Sequence, residues 1–522
     1  MIKASLLHFD HVVVGAGSTG AVIAARLAEW TDGRVLLVEA GPDYHGRLLP
    51  FDLENGRTPA LGSHDWGYNG VGTGLRDLWL PRGKVVGGCS AVNTCIALRP
   101  EPTDFEGWPS GQMDWSWEQV LKAFVDMETD ADHADDYHGD RGPLRLSRIQ
   151  FDQLTPLSRA FLSVCQSAGF DRIDDHNEPG STGVGMLPLN LESSLRRIST
   201  ATAYLSQARM RKNLTVLANT VVDSVVFAGT RSVGVTIIKD GIEQQIDADN
   251  VTIAAGAYGS PAILMRSGIG PVKLLRSLGI DIVVDLPCVG RNLADHSQVP
   301  LICTPLPGVI NTAAPCAEVV LRYRADGWSL PNDMQLCLLN HVDIAKYAPS
   351  LADRIDGSHA FVVSANLMRP DSRGTVELID RDPHRPPLIC LNRVSAPSDR
   401  RRLRNGLRLA RQIATDEGFD ELFDGLLDAD EVEFNVDASV DRYVVRRIES
   451  AHHPSGTAAM ATDPANGVVD NECRVFGTDG LRIADASIIP SPLRANTNLA
   501  CIMIGERVAR LLAGASPLGC TA

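Results

Sequence analysis

Apolar positions recur along this chain with two different spacings, and their order predicts most of its elements. Near the N-terminus Phe9 and Asp10 lead into Val12-Val13-Val14, a short run that is apolar on both faces, as a buried strand is. Gly15-Ala16-Gly17-Ser18-Thr19-Gly20 follows, and then Ala21, Val22, Ala24, Ala25, Leu27 and Ala28 at helical spacing. A second apolar run, Val35 to Val38, ends at Glu39. Strand, glycine turn, helix and strand within about 30 residues form a βαβ unit, and in that setting G-x-G-x-x-G has a physical meaning. The first glycine makes the tight turn, the second lets backbone approach a pyrophosphate, and the third lets helix pack on strand. The helix N-terminus adds unpaired N–H groups and positive dipole for the anion. Glu39, nineteen residues after Gly20, is placed for ribose hydroxyls.

Further along, Leu214 to Val226 and Val233 to Ile237 carry β-branched runs between turn residues and predict a small sheet. Val251 to Ala255 predicts a buried strand entering a glycine turn, and Val319 to Leu339 and Val376 to Leu388 are strand-rich. Asp399 to Ala414 predicts a basic amphipathic helix with an exposed charged face, carrying Leu403, Leu407, Leu409 and Ile413. Leu481-Arg482-Ile483-Ala484-Asp485 and a helix from Ile502 to Leu512 close the chain. Between Gly41 and Gly88 no period persists, which predicts long loops over the core. Cofactor-type signals at both ends and in the middle predict one discontinuous domain, at 1–145, 190–300 and 450–522. A second domain, for substrate, is inserted at 146–189 and 301–449.

Composition narrows the function classes. The 522 residues are 44% hydrophobic and 22% charged, an ordinary globular balance. A net charge of -15 repels phosphate backbones, so no nucleic-acid partner is expected. No stretch approaches the roughly 20 apolar residues of a transmembrane helix. Lys3, Asp10 and the strand–turn in the first twenty residues give the expectation of no secretory leader. The eleven cysteines are scattered, odd in number and without a C-x-x-C pair, which predicts buried thiols and a cytoplasmic protein. His133, Asp135, Asp136 and His138 sit in a run dense in acids, but the histidines lack i, i+4 spacing. The expectation there is a solvated acidic loop and no metal site.

Longer motifs then carry a resemblance. Residues 81–94 read Pro-Arg-Gly-Lys-Val-Val-Gly-Gly-Cys-Ser-Ala-Val-Asn-Thr, and residues 256–270 read Gly-Ala-Tyr-Gly-Ser-Pro-Ala-Ile-Leu-Met-Arg-Ser-Gly-Ile-Gly. His452-His453-Pro454-Ser455-Gly456-Thr457 and Ala486-Ser487-Ile488-Ile489-Pro490 through Asn496-Thr497-Asn498 follow, with Gly290 to His296 and Ser372 to Val376 as smaller pieces. In this order they resemble the signatures of the glucose–methanol–choline (GMC) oxidoreductases over essentially the whole chain. The motifs look most like those of the choline oxidase and 5-hydroxymethylfurfural oxidase types. The resemblance implies FAD and an α/β fold (α+β overall). A Rossmann-like FAD-binding domain, discontinuous in sequence, would carry an inserted substrate domain built on an antiparallel sheet.

It also implies roles. Gly15, Gly17 and Gly20, with Ser18 and Thr19, would hold the pyrophosphate, and Glu39 and Ala40 the adenosine ribose. Val222 would meet the adenine through its backbone. Gly88, Ser90, Asn93 and Thr94 would line the flavin and ribityl chain, Asp485 and Ala486 would close over the diphosphate, and Asn496 and Thr497 would complete the cofactor site. Val92 stands where covalently flavinylated members carry histidine, so the FAD is expected to be non-covalent.

The expected reaction is oxidation of a primary alcohol to the aldehyde, with hydride passing to flavin N5 and electrons to oxygen or another acceptor. Removing the hydroxyl proton calls for a base, and histidine, with an ordinary pKa of about 6.5, suits neutral pH. By resemblance that base is His453, with Asn496 as its partner. His452 and Glu318 are the substrate candidates, His452 shaping the pocket and Glu318 pairing with a cationic group or, equally, facing solvent on a strand edge. His296 is expected to close a loop. The alternatives are a non-redox member of the same fold, of the hydroxynitrile lyase type, and a structural FAD binder. The particular alcohol, the electron acceptor and the oligomeric state, a homodimer among the options, stay open.

Overall fold

The computed structural model describes residues 8–46, 48–72, 77–355, 357–429 and 431–514. Cys520 and Lys3 lie outside them. The elements that build the site begin with strand β1 (His8–Val14), helix α1 (Gly20–Trp30) and strand β2 (Val35–Val38). After a looped excursion come β3 (Gly183–Met186), β4 (Leu214–Leu217), β5 (Val221–Ala228), β6 (Arg231–Lys239) and β7 (Ile242–Ile253), which leads into α2 (Gly256–Arg266). Next are β8 (Ser297–Pro305), β9 (Val319–Tyr323), β10 (Met334–Asp343), β11 (His359–Leu367), α3 (Pro397–Ala414) and β12 (Phe423–Leu426). The short strands β13 (Glu449–Ser450) and β14 (Leu481–Ile483) precede the last helix, α4 (Thr497–Leu512).

One seven-stranded sheet runs β4-β2-β1-β7-β6-β5, with β14 beside the far end of β7. β4, β2, β1, β7 and β14 pair in parallel, whereas β5, β6 and β7 form an antiparallel meander. The runs at 214–226 and 233–237 are therefore not a separate small sheet. Strand β7 reconciles the two halves: its first residues pair β6, and its last pair β1 and β14. A β-branched run predicts a strand but not its partner. Helices α1 and α4 cover this sheet, meeting where Gly505 leaves no room for a side chain against Thr19 and Val22. α4 begins five residues before the expected Ile502, with Asn496 at its N-cap position.

The second sheet runs β12-β8-β11-β10-β9-β3, with β13 beside β8, and every pairing is antiparallel. Its two faces are both shielded from solvent but serve different ends. Met334, Leu336 and Leu338 of β10 and Phe361, Val363, Ala365 and Leu367 of β11 pack with Leu403, Leu407, Ala410 and Ile413 of α3. The alternate residues of β10, Gln335, Cys337, Leu339 and His341, front a cavity. The period of two that fills a core on one side thus writes a site on the other. The stretch from 376 to 388 is two short strands, Thr375–Glu377 and Leu388–Cys390, joined to Asn69–Val71 and Asp77–Trp79 of the expected loop region.

Candidate active site

The cavity extends from the β1–α1 turn to the second sheet and measures about 1190 Å³. Binding pockets for drug-sized molecules span roughly 300–1,000 Å³, so this one has room for a dinucleotide and a small substrate together. Three helix N-termini converge on it: Ser18 and Thr19 before α1, Ala255 and Gly256 at α2, and Thr497 and Asn498 at α4. N–H groups and dipoles gathered in this way suit a pyrophosphate.

Backbone space decides what the glycines do. Gly15 has φ +97°, and a Cβ there would lie 2.5 Å from the Ala254 carbonyl oxygen. At Gly20 a Cβ would overlap the Gly15 carbonyl oxygen, so this glycine serves helix–strand packing and does not line the cavity. Gly17 is open instead: the nearest atom to a Cβ there is Gly88 Cα at 3.9 Å, and both glycines line the cavity. Glu39 accepts hydrogen bonds from the N–H groups of Ala16 (2.9 Å) and Gly41 (2.8 Å), tying the glycine turn to the end of β2. Burial pushes its carboxyl up to about 7, and each oxygen keeps a second lone pair for a ribose hydroxyl.

Ala40, Val222, Asn93, Thr94, Asp485, Ala486, Asn496 and Thr497 all line the cavity. Asp485 spends much of its capacity on protein, accepting from Gly256 N–H (2.9 Å), Ser260 Oγ (2.5 Å) and Ser487 N–H (2.7 Å). Asn498 accepts from Ser18 Oγ at 2.9 Å through Oδ1, while its buried Nδ2 has no partner. That unmet donor, the open face of Gly17 and the three helix ends fit FAD. Ser90 is a correction. It is fully buried outside the cavity wall, bonded to the Gly87 carbonyl (2.6 Å) and to Thr200 (2.9 Å), and it braces the 87–91 turn from behind.

At the far end His453 and Asn496 come together across 43 residues of sequence, Asn496 Nδ2 donating to His453 Nε2 at 3.0 Å. On its other side His453 Nδ1 lies 3.0 Å from His296 Nδ1. The backbones of Leu493 and Met368 favour a proton on His296, and with its Nδ1 turned to His453 that proton is assigned to the other ring nitrogen. With His296 Nδ1 as the acceptor, His453 carries its proton on Nδ1, and its unprotonated Nε2 accepts from Asn496 at the cavity wall. Burial is the main cause that holds His453 well below the usual imidazole range, and Arg82 and any charge on His296 or His452 act in the same direction. It fronts the cavity as a neutral imidazole at neutral pH.

His296 was expected only to close a loop, and it does not line the cavity. It nonetheless fixes the ring beside it. Its neighbour Asp295 accepts from His453 N–H (3.0 Å) and Ser450 Oγ (2.5 Å), so the Asp-His pair holds both backbone and ring. The signal was the pair's place in Gly290–His296, but nothing in sequence spacing points across 157 positions. His452 lines the cavity in the left-handed region (φ +66°) with an unpartnered buried Nδ1, and burial drops its pKa to about 3.

Glu318 is neither pocket-facing nor solvent-facing. It is 1% exposed, absent from the cavity wall, and its Oε2 accepts from Thr155 N–H (3.0 Å), Thr155 Oγ1 (2.9 Å) and Asn340 Nδ2 (3.0 Å). Thr155 caps the helix Pro156–Ser167, so the carboxylate is spent at a helix N-terminus. The acidic stretch differs too. His138 is buried, 3.1 Å from Asp175 and 3.2 Å from Glu128, and its pKa is pushed up to about 11 by hydrogen bonds to Asp130, Asp175 and Glu128 that outweigh burial. With Arg99 and Arg148 it balances those three carboxylates, while Asp135 and Asp136 are exposed.

A pyrophosphate cradle opening onto a neutral histidine at the far end of one cavity fits a flavin-type oxidoreductase. The chain belongs to the GMC oxidoreductase family, whose models match residues 9–298 and 370–505. It is 36% identical over 516 residues to a GMC-type oxidoreductase of Rhodococcus erythropolis, covering 97% of this chain and 98% of that one. It is 33% identical over 543 residues to an oxygen-dependent choline dehydrogenase of Pseudomonas putida, covering 98% and 95%. Pyridoxine 4-oxidase from Mesorbium loti superposes with TM-score 0.87 at 30% identity, over 97% of this chain and 99% of that one. A formate oxidase variant from Aspergillus oryzae shares the fold, with TM-score 0.89 at 23% identity over 97% and 98%. FAD is the cofactor of this family reading. Among the described residues no helix is long and apolar enough to cross a membrane.

Proposed function

We propose that the protein oxidises a primary alcohol to its aldehyde, with His453 as the base and Asn496 as hydrogen-bond donor to the alcohol oxygen. The observation that carries this reading is the His453 Nε2 lone pair, held free of a proton by the His296 relay beside an amide donor on the cavity wall. An alcohol hydroxyl inserted between the two breaks their mutual hydrogen bond: its proton passes to Nε2, and the Asn496 N–H turns to the oxygen as negative charge develops. FAD, when bound, supplies the acceptor for the hydride leaving the alcohol carbon and passes the electrons to oxygen or another carrier. The names of the choline dehydrogenase and pyridoxine oxidase relatives support a CH–OH donor.

The FAD is non-covalent in this reading, because Val92 offers no nucleophile at the cavity wall. Acid precipitation should release intact yellow FAD; colour retained in the washed pellet would overturn this and point first to Cys89, which also lines the cavity. The cofactor-binding parts 1–145, 190–300 and 450–522 and substrate parts 146–189 and 301–449 belong to the same reading, supported by the sheet each strand joins. A cytoplasmic location is supported by the ten described cysteines, all free thiols.

The test is anaerobic mixing of the holoenzyme with a panel of small alcohols. Bleaching of the flavin absorbance is expected with at least one primary alcohol, and admitted oxygen or an added acceptor should restore it. Cleavage of a cyanohydrin without any bleaching would replace this reading with the lyase alternative.

A further inference from the structure

Register places a row of polar side chains across the cavity face of the second sheet. Gln298 of β8 is paired with Asn366 of β11, and Asn366 with Gln335 of β10. All three line the cavity that holds His453 and Asn496. Gln298 stands two residues after His296, and the row is therefore tied to the catalytic end. Asn366 Oδ1 accepts from Ser364 Oγ at 3.1 Å, which fixes that amide. Gln335 is different. It is 4% exposed, and its Nε2 has no hydrogen-bond partner. A buried amide N–H without a partner is costly to keep, and sites of this kind reject ligands that cannot satisfy it.

The geometry points to Gln335 as the specificity determinant of this site, donating from Nε2 to a neutral acceptor that the substrate carries away from its reacting hydroxyl. The substrate class is then a small primary alcohol with a second, uncharged polar group such as a ring nitrogen, ether or carbonyl. This rests on the alcohol-oxidation reading. Glu318, the carboxylate expected to pair with a cationic alcohol, faces a helix cap; Glu449, in register beside Gln298, lines the cavity and accepts from Tyr347 Oη at 3.0 Å, so a choline probe decides whether a cation is taken there.

The test compares three probes in anaerobic flavin reduction by the holoenzyme: 3-(hydroxymethyl)pyridine, benzyl alcohol and choline. The first two have the same shape and differ by one acceptor. Wild type is expected to favour the pyridine alcohol by about tenfold in the concentration giving half-maximal rate, the worth of one hydrogen bond. Gln335→Met should bring that ratio to about one by weakening the pyridine alcohol alone, and Gln335→Glu, which removes a donor but keeps an acceptor, should do the same. A preference for choline, equal affinity for the two aromatic alcohols, or an unchanged ratio in Gln335→Met would overturn the assignment while leaving alcohol oxidation standing. A Gln335→Met flavin spectrum or FAD content altered without substrate would assign the amide to the cofactor and also overturn it. Absence of bleaching by any alcohol in the wider panel would remove the alcohol reading and this one with it.

Discussion

The two sheets hold the two halves of the site by different means. In the parallel sheet the function is carried by backbone: the β1–α1 turn, the helix N-termini and glycines whose missing Cβ atoms leave or deny space. In the antiparallel sheet and the loops beside it, function is carried by side chains whose direction depends on register. Gln335 and Leu336 are adjacent and both buried, yet one fronts the cavity and the other the α3 core. A backbone site tolerates no side chain at certain positions, whereas a side-chain site tolerates many residues but responds sharply in rate and specificity.

The largest effect is expected where the backbone has no room. Gly20→Ala drives a methyl into the Gly15 carbonyl, so the turn must open, and folded FAD-loaded protein should be lost. Gly17→Ala meets nothing closer than 3.9 Å, so the apoprotein should fold while FAD retention falls. Far-UV circular dichroism and flavin content of the two purified variants separate these outcomes. Equal behaviour would refute the division of labour between the two glycines.

Next in size comes the base. His453→Ala should keep FAD and fold but lose about 10²–10⁴-fold in anaerobic flavin reduction, the range for removing a general base. Stopped-flow rates within threefold of wild type would reassign the base.

Legibility in the sequence follows the same line. The βαβ unit, Glu39 and the glycine spacing could be read because turn geometry ties backbone function to fixed offsets. His453 and Asn496 came from motif resemblance, and the structure brings them to hydrogen-bond distance. Ser90, Glu318 and Gln335 were misjudged or missed for one physical reason: which way a side chain points depends on pairing with residues far away in sequence. For β10 part of the signal existed, since Gln335, His341 and Asp343 stand on one parity, although Asn340 is polar on the other. Reading it required knowing that both faces of that sheet are buried.

A smaller effect should come from His296, which touches His453 but not the cavity. In His296→Ala the His453 Nδ1–H loses its acceptor, the tautomer is no longer fixed, and flavin reduction should slow about tenfold, one hydrogen bond's worth. The pH profile tells this from a merely structural loss. Because burial above all, with Arg82 nearby, lowers the His453 pKa well below its usual value, the base stays unprotonated as pH falls from 8 to 6. Wild-type limiting rates should be flat across that window. An alanine at 296 opens space for water beside the His453 ring and relieves burial, the largest cause of the lowered pKa, so the acid limb should move upward. A wild-type rate that already falls below pH 7 would contradict the assigned protonation state.

The smallest effect belongs to Glu318, and it separates the two kinds of site most cleanly. Its carboxylate accepts three hydrogen bonds at the cap of the helix Pro156–Ser167, all through Oε2, while Oε1 is buried without a partner. Glu318→Gln keeps one acceptor oxygen for those donors and removes a buried charge, so the opposing changes should leave stability within about 1 kcal/mol. Glu318→Ala strands the Thr155 and Asn340 donors and should cost about 1–3 kcal/mol. Because the residue is outside the cavity wall, neither variant should change the alcohol concentration for half-maximal flavin reduction by more than about twofold. Urea denaturation and anaerobic titration on the same preparations measure both quantities. A selective loss of affinity for cationic alcohols in Glu318→Gln, with stability untouched, would return this carboxylate to the substrate site.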